Sequence, residues 1–312
     1  VYKSGFGDCK GLSNYMLAML KAIGIPSYYT EISTVQNRFF KDYMNVSQTN
    51  HVILQVPLEN DTLWLECTNP KLPFGYIHQD IAGHDALLIK EDGGEVCQLP
   101  TYPDSLNTQN TKATVILNPD GGAVVNVEQR SYLFQYETEQ SFTLLTPDKQ
   151  KEYLNRSIRL NKANVKDIQY KESKEAEPFI DVNYTITSEQ YGSKTGNRLF
   201  IPVNPFRDRA TISRKTRVHD IYINYGYVDT DQITIRIPDD YDVESLPKPA
   251  IIINEFGYYL SLFEAEGNEI KIIHTLSFKK GKYPKDKYDS FTEFNKVISN
   301  KYSEKIILRK KG

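Results

Sequence analysis

Among 312 residues there are only three cysteines, three methionines, five histidines and one tryptophan. Three cysteines are too few for a disulfide scaffold, and an odd number cannot all pair within the chain. In an oxidising compartment Cys67 and Cys97 could bridge and leave Cys9 free; otherwise all three are thiols. No apolar run approaches the roughly 18–20 residues that a bilayer-spanning helix needs, so membrane insertion is not expected. One sign of charge is also lacking: 38 basic residues face 40 acidic ones, for a net charge of −2. Residues 1–108 carry a net −5 and the remainder +3. Neither value makes a field that would gather nucleic acid, which is not expected as a partner. No collagenous or low-complexity tract occurs, and 39% hydrophobic with 25% charged residues is globular usage. The chain starts at Val1 with no positive segment leading into an apolar one, so no signal peptide is visible, and a fragment or processed product is expected.

What is present begins with a well-punctuated helix over 8–24. Asp8 is a good N-cap, and Leu12, Tyr15, Met16, Met19, Leu20 and Ile23 recur at three- and four-residue spacing. Gly24 stands where a left-handed residue belongs, and Pro26 blocks continuation. A strand is predicted over Ile25–Ile32, then a polar connection over Ser33–Thr49. His51–Leu58 and Thr62–Cys67 read as strands joined around Glu59-Asn60-Asp61. Asn69–Gly94 reads as irregular, with a short strand at Ala86–Ile89. One helix followed by antiparallel strands makes an α+β unit.

From about Thr111 the pattern changes to short β-branched and aromatic segments at roughly 8–12-residue spacing, which predicts sandwich-like β architecture. Helices interrupt it after Thr146-Pro147-Asp148 and near Ser290–Asn300. The expected domains are a core over 1–108, a β-rich domain over 109–205, and a second β-rich domain with one helix over 206–312.

The candidate chemistry lies in the first domain. Cys9 falls in the first helical turn, where unpaired amides and the positive end of the helix dipole favour a thiolate. A nucleophilic thiol needs a base, and the base needs an orienting acceptor. His51 opens one strand and Glu66 closes the next. A hairpin loop of two or four residues puts both side chains on one face; a three-residue loop puts them on opposite faces. An even loop is therefore a condition of the triad. Each residue also has an ordinary reading: a small packing thiol, a strand-edge histidine, and a solvent-facing carboxylate.

The segments GDCKGLSNYMLAMLKAIGIPSYY, NHVILQVPL and LWLECTNP resemble the three core motifs of the bacterial transglutaminase-like superfamily. The resemblance implies a papain-like core, a Cys-bearing helix against an antiparallel sheet, over residues 1 to about 90. It implies Cys9 as nucleophile, His51 as base and then acid, and Glu66 as the orienter of His51. Where the family usually has Asp, this chain has Glu66. RKTRVHDIYINYGYVDTDQITIRIPDDYDVESLPKP resembles the β-rich C-terminal domain that often accompanies such cores. The implied activity is cleavage or transfer of a peptide or protein amide through a thioester, hydrolysis being slightly preferred, with no cofactor and no metal. Periplasmic or envelope location follows from the resemblance alone. The competing reading is a catalytically idle module of the same fold that serves protein–protein contacts in the cell envelope.

Two further clusters carry less. His78 and His84 with Asp80 and Asp85 tempt a metal reading, but no second motif matches, and this loop is expected to cover one wall of the cleft. Arg207, Arg209, Arg214, Lys215 and Arg217 read as a solvated basic loop face.

Overall fold

The structure is a computed structural model that describes residues 1–40, 42–43, 45–207 and 217–312. It divides into two compact units, one holding 1–102 with 173–178 and the other 103–172 with 179–312. The boundary expected at 205/206 falls inside the second unit, where strands from both sides of it share one sheet.

The first unit opens with α1 (Cys9–Ala22). Asp8 caps it, its Oδ1 accepting the Gly11 N–H at 2.8 Å. At the other end Ile25 N–H reaches Leu20 C=O and Gly24 N–H reaches Lys21 C=O, a paired closure that requires the left-handed backbone of Gly24 (φ 77°). Five antiparallel strands follow: β1 (Tyr28–Ile32), β2 (His51–Pro57), β3 (Thr62–Leu65), β4 (Asp85–Lys90) and β5 (Gly93–Gln98), in the order β3-β2-β1-β4-β5. β5 was not expected, because Gly93-Gly94 and its exposed polar residues read as loop.

The apolar stripe read from the helix is covered only in part, with Leu12, Tyr15, Met16 and Leu20 half-buried. Met19 and Ile23 are exposed, and the fully buried residue is Ser13. A small side chain lets the helix approach β2 closely, and its hydroxyl is satisfied by the Val52 carbonyl at 3.2 Å. The sheet's own core is apolar: Ile32, Val52, Ile53, Leu54, Trp64, Ala86 and Leu88 are all buried.

The second unit contains β6 (Thr108–Leu117), β7 (Ala123–Tyr132), α2 (Phe134–Thr143), α3 (Pro147–Ser157), β8 (Asn161–Ser173), β9 (Phe179–Gln190), β10 (Ser193–Thr195) and β11 (Arg198–Pro202). It continues with β12 (Ile221–Ile223), β13 (Tyr227–Arg236), β14 (Tyr241–Ser245), β15 (Ala250–Asn254), β16 (Gly257–Glu266), β17 (Glu269–Phe278), β18 (Gly281–Tyr283), α4 (Tyr288–Ser303) and β19 (Lys305–Lys310). An eight-stranded sheet runs β15-β16-β17-β13-β6-β7-β9-β8, its central β13–β6 pair parallel. A four-stranded sheet runs β10-β11-β19-β14. Val125, Ile186 and Ile235 of the larger sheet share one apolar cluster with Leu199, Ile201, Ile306 and Leu308 of the smaller, which fits the sandwich-like expectation.

α3 and α4 lie where the sequence placed helices. α2 was not anticipated: Phe134, Tyr136, Thr138, Phe142 and Thr143 are strand-favouring types, and tertiary burial of Phe134, Tyr136 and Phe142 overrides them.

Inward positions of β13 read Tyr227, Asp229, Asp231, Ile233, Ile235, and those of β17 opposite read Phe278, Leu276, His274, Ile272, Ile270. The isoleucines belong to one apolar cluster and the aromatic ends pack in another. Asp229, Asp231 and His274 thus form a polar layer between two hydrophobic cores.

Candidate active site

The hairpin loop between β2 and β3 is four residues, 58–61, and its register pairs Leu54 with Leu65 and Gln55 with Trp64. Extended by one step, that register sets Glu66 opposite Ile53. Side chains alternate along a strand, so His51, Ile53, Gln55, Trp64 and Glu66 share one face. The even loop that the triad requires is present. His51 Nε2 lies 2.6 Å from Glu66 Oε2, and both side chains are largely buried.

Glu66 is held on both oxygens. Its Oε1 accepts the Thr68 N–H at 2.7 Å and the Thr68 hydroxyl. Burial pushes the Glu66 carboxyl up, but hydrogen bonds from His51 and Thr68, with His78 close by, outweigh it and hold the group well below the ordinary carboxylate range. An ionised carboxylate only accepts, so His51 donates from Nε2, and in a neutral imidazole that tautomer leaves the lone pair on Nδ1. That is the arrangement a general base requires.

Cys9 is the first residue of α1 and is partly buried. Ser13, one turn further along the same helix face, donates to Val52 C=O and lies beside the Cys67 thiol, which itself reaches Leu65 C=O at 3.8 Å. Val52 follows His51 and Cys67 follows Glu66, so the helix meets the sheet through the sequence neighbours of both dyad residues. Among the described residues no hydrogen bond joins the Cys9 thiol to His51. The structure therefore brings His51 and Glu66 together and leaves Cys9 on the adjoining helix, its thiol not hydrogen-bonded to His51.

The loop after β3 supplies a third group. His78 Nε2 lies 3.6 Å from the same Glu66 Oε2, too long for a hydrogen bond by itself, and the rings of His51 and His78 meet edge-on at 6.5 Å. Tyr76, Ile77, Ile81 and Ala82 of this loop are buried. His78 and His84 do not act as a pair: His84 Nδ1 bonds the Ser33 carbonyl at 2.7 Å, and Asp85 accepts the Phe39 N–H at 3.0 Å. The ligating atoms of His51, Glu66 and His78 all lie within 4.8 Å of one another, so these three could hold a divalent cation. A metal there would take the His51 nitrogen that Glu66 now holds. His78 was missed as a partner of Glu66, and its sequence distance of twelve residues carried no signal.

Cys67 and Cys97 are free thiols, both pushed up chiefly by burial. The basic run needs correction at its first member. Arg207 is buried and bridges Asp231, Asp229 and Gln109, because inward carboxylates on β13 demand a countercharge. Arg217 lies over the Tyr288 ring at 5.6 Å. Arg209, Arg214 and Lys215 lie outside the described residues.

Residues 197–308 match the model of a family described as a domain of unknown function with a solved structure, DUF3858. No curated protein matches the chain. A crystal structure from Parabacteroides distasonis ATCC 8503, described as a "putative protease", superposes with a TM-score of 0.53 at 10% sequence identity. The match covers 99% of this chain and 45% of that one, so the chain spans less than half the length of that protein. At this identity the likeness is one of fold.

Proposed function

We propose that the first unit is a transglutaminase-like cysteine enzyme that cleaves or transfers a peptide or protein amide, with Cys9, His51 and Glu66 as its catalytic residues. The single observation that carries the reading is the His51–Glu66 contact, which fixes the proton on Nε2 and presents Nδ1 as a base. The fold likeness to a protein described as a protease supports it.

In this reading His51 Nδ1 takes the Cys9 proton, and the thiolate adds to the amide carbonyl. The oxyanion is met by the Cys9 N–H, which in the first helical turn has no intrahelical acceptor. His51 returns the proton to the departing amine, leaving a thioester. Water then attacks, and hydrolysis frees the acid and regenerates the thiol; an amine in place of water gives transfer. Hydrolysis is preferred, since no acyl-acceptor site is recognisable. The reaction requires Cys9 and His51 to close on one another, and apo catalytic contacts are commonly looser than those of a substrate complex.

The idle-module reading is favoured by one observation, the missing Cys9–His51 hydrogen bond. Iodoacetamide labelling of Cys9 against pH, mapped by peptide mass spectrometry, decides between them. The enzyme reading expects His51→Ala to slow Cys9 labelling at pH 7 about ten-fold and to move its midpoint upward toward that of a free thiol, ~8.5. Identical profiles for the wild type and His51→Ala would leave a module without a primed nucleophile.

A further inference from the structure

A cavity of about 520 Å³ lies in the second unit between α4 and the inward face of β13 and β17. All of its lining residues fall within the matched 197–308 segment. One wall is a run of rings: Tyr225 and Tyr227 at 6.4 Å between centroids, Tyr227 and Phe278 at 5.5 Å, Phe278 and Phe291 at 6.3 Å. Asp229 and Arg207 also face the cavity, with 11% and 14% of their side chains accessible.

Among the described residues, the buried charges beside the cavity do not balance. A single guanidinium, Arg207, serves two carboxylates, contacting Asp229 at 2.9 Å and Asp231 at 2.6 Å. His274 beside them adds no countercharge, since burial pushes its pKa down to about 4. Asp229 accepts from Gln135 at 2.7 Å as well as from Arg207, yet burial still pushes its pKa up to about 6. The Arg207 N–H groups are committed to Asp231, Asp229 and Gln109. The cavity therefore sets a carboxylate beside aromatic faces, the combination that suits a cation. Its size lies within the roughly 300–1,000 Å³ of small-ligand sites.

We propose that this cavity binds an alkylammonium group, of the kind a lysine side chain carries, with the ammonium directed at Asp229 and the alkyl chain along the aromatic wall. The inference is independent of the chemistry assigned to the first unit.

Calorimetric titration of the full chain at pH 7.5 with Nα-acetyl-lysine methylamide, and with its uncharged norleucine counterpart, tests it. The lysine probe should bind at least about ten-fold more tightly than the norleucine probe. Asp229→Asn should erase that preference. Ser299→Trp fills the cavity from α4, leaves the ion cluster intact, and should abolish binding of both probes. Equal affinity for the two probes, no binding by the wild type, a preference surviving Asp229→Asn, binding surviving Ser299→Trp, or tighter binding of methyl glucoside would each overturn the assignment.

Discussion

Glu66 in the first unit and Asp229 in the second are both carboxylates withdrawn from water, and they end at opposite extremes. Glu66 receives Thr68 and His51, with His78 close by, and stays ionised far below its usual range. Asp229 has a full guanidinium at 2.9 Å and a glutamine, yet its pKa rises to about 6, because burial outweighs those partners and Asp231 adds a like charge while sharing the same cation. Proximity to a positive charge does not by itself fix ionisation; how many donors converge on one carboxylate, and how many carboxylates share one donor, decides it. The largest test of the contrast is Arg207→Leu. It strands Asp229 and the fully buried Asp231, and should cost about 3–5 kcal/mol in urea unfolding. A loss under 1 kcal/mol would mean that the acids were neutral in the native state.

The two carboxylates should also give stability opposite slopes against pH. Asp229 binds its proton more tightly folded than unfolded, so between about pH 6 and 4 the native state holds a proton that the unfolded chain lacks. Stability referenced to Asp229→Asn should therefore rise, on the order of 1–3 kcal/mol, as pH falls through 6. Glu66 binds its proton more weakly folded, so its contribution is present above the ordinary carboxylate range and is lost as pH falls below it. Slopes of the same sign for the two variants would break the comparison.

The site with the stronger hydrogen-bond signal was also the more legible one. Asp8, Gly24 and the alternation through β2 and β3 are local rules, and they led to the cap, the helix stop, the even loop and the face shared by His51 and Glu66. The Asp229 layer was not legible. Asp229 and Asp231 alternate as a polar face does, so the pattern reads as solvent-facing, and only Arg207, arriving from a segment more than twenty residues away, makes them inward. His78 escaped for the same reason, since a loop placed it on Glu66. α2 escaped because burial of its aromatic residues, not propensity, makes it helical.

A smaller effect separates orientation from charge within the dyad. Glu66→Gln keeps the volume and an acceptor but removes the charge that fixes the His51 tautomer. Cys9 labelling at pH 7 should fall about three- to ten-fold, less than or equal to the loss in His51→Ala. Fully retained labelling would mean that Thr68 and His78, not His51, are the reason for the carboxylate.

The finest test returns to Asp8, a carboxylate that pairs with backbone and, among the described residues, with no cation. Its Oδ1 holds the Gly11 N–H, and its charge stands one residue from the Cys9 thiol. Capping and charge should separate by substitution. Asp8→Ala removes both and should cost about 1 kcal/mol of stability in urea unfolding. Asp8→Asn keeps a capping oxygen, so stability should hold within a few tenths of a kcal/mol. It also removes a negative charge one residue from the Cys9 thiol, and Cys9 should alkylate about two- to three-fold faster at pH 7. If Asp8→Asn labels no faster, the thiol is screened from its own helix cap, and the dipole argument for Cys9 loses its local support.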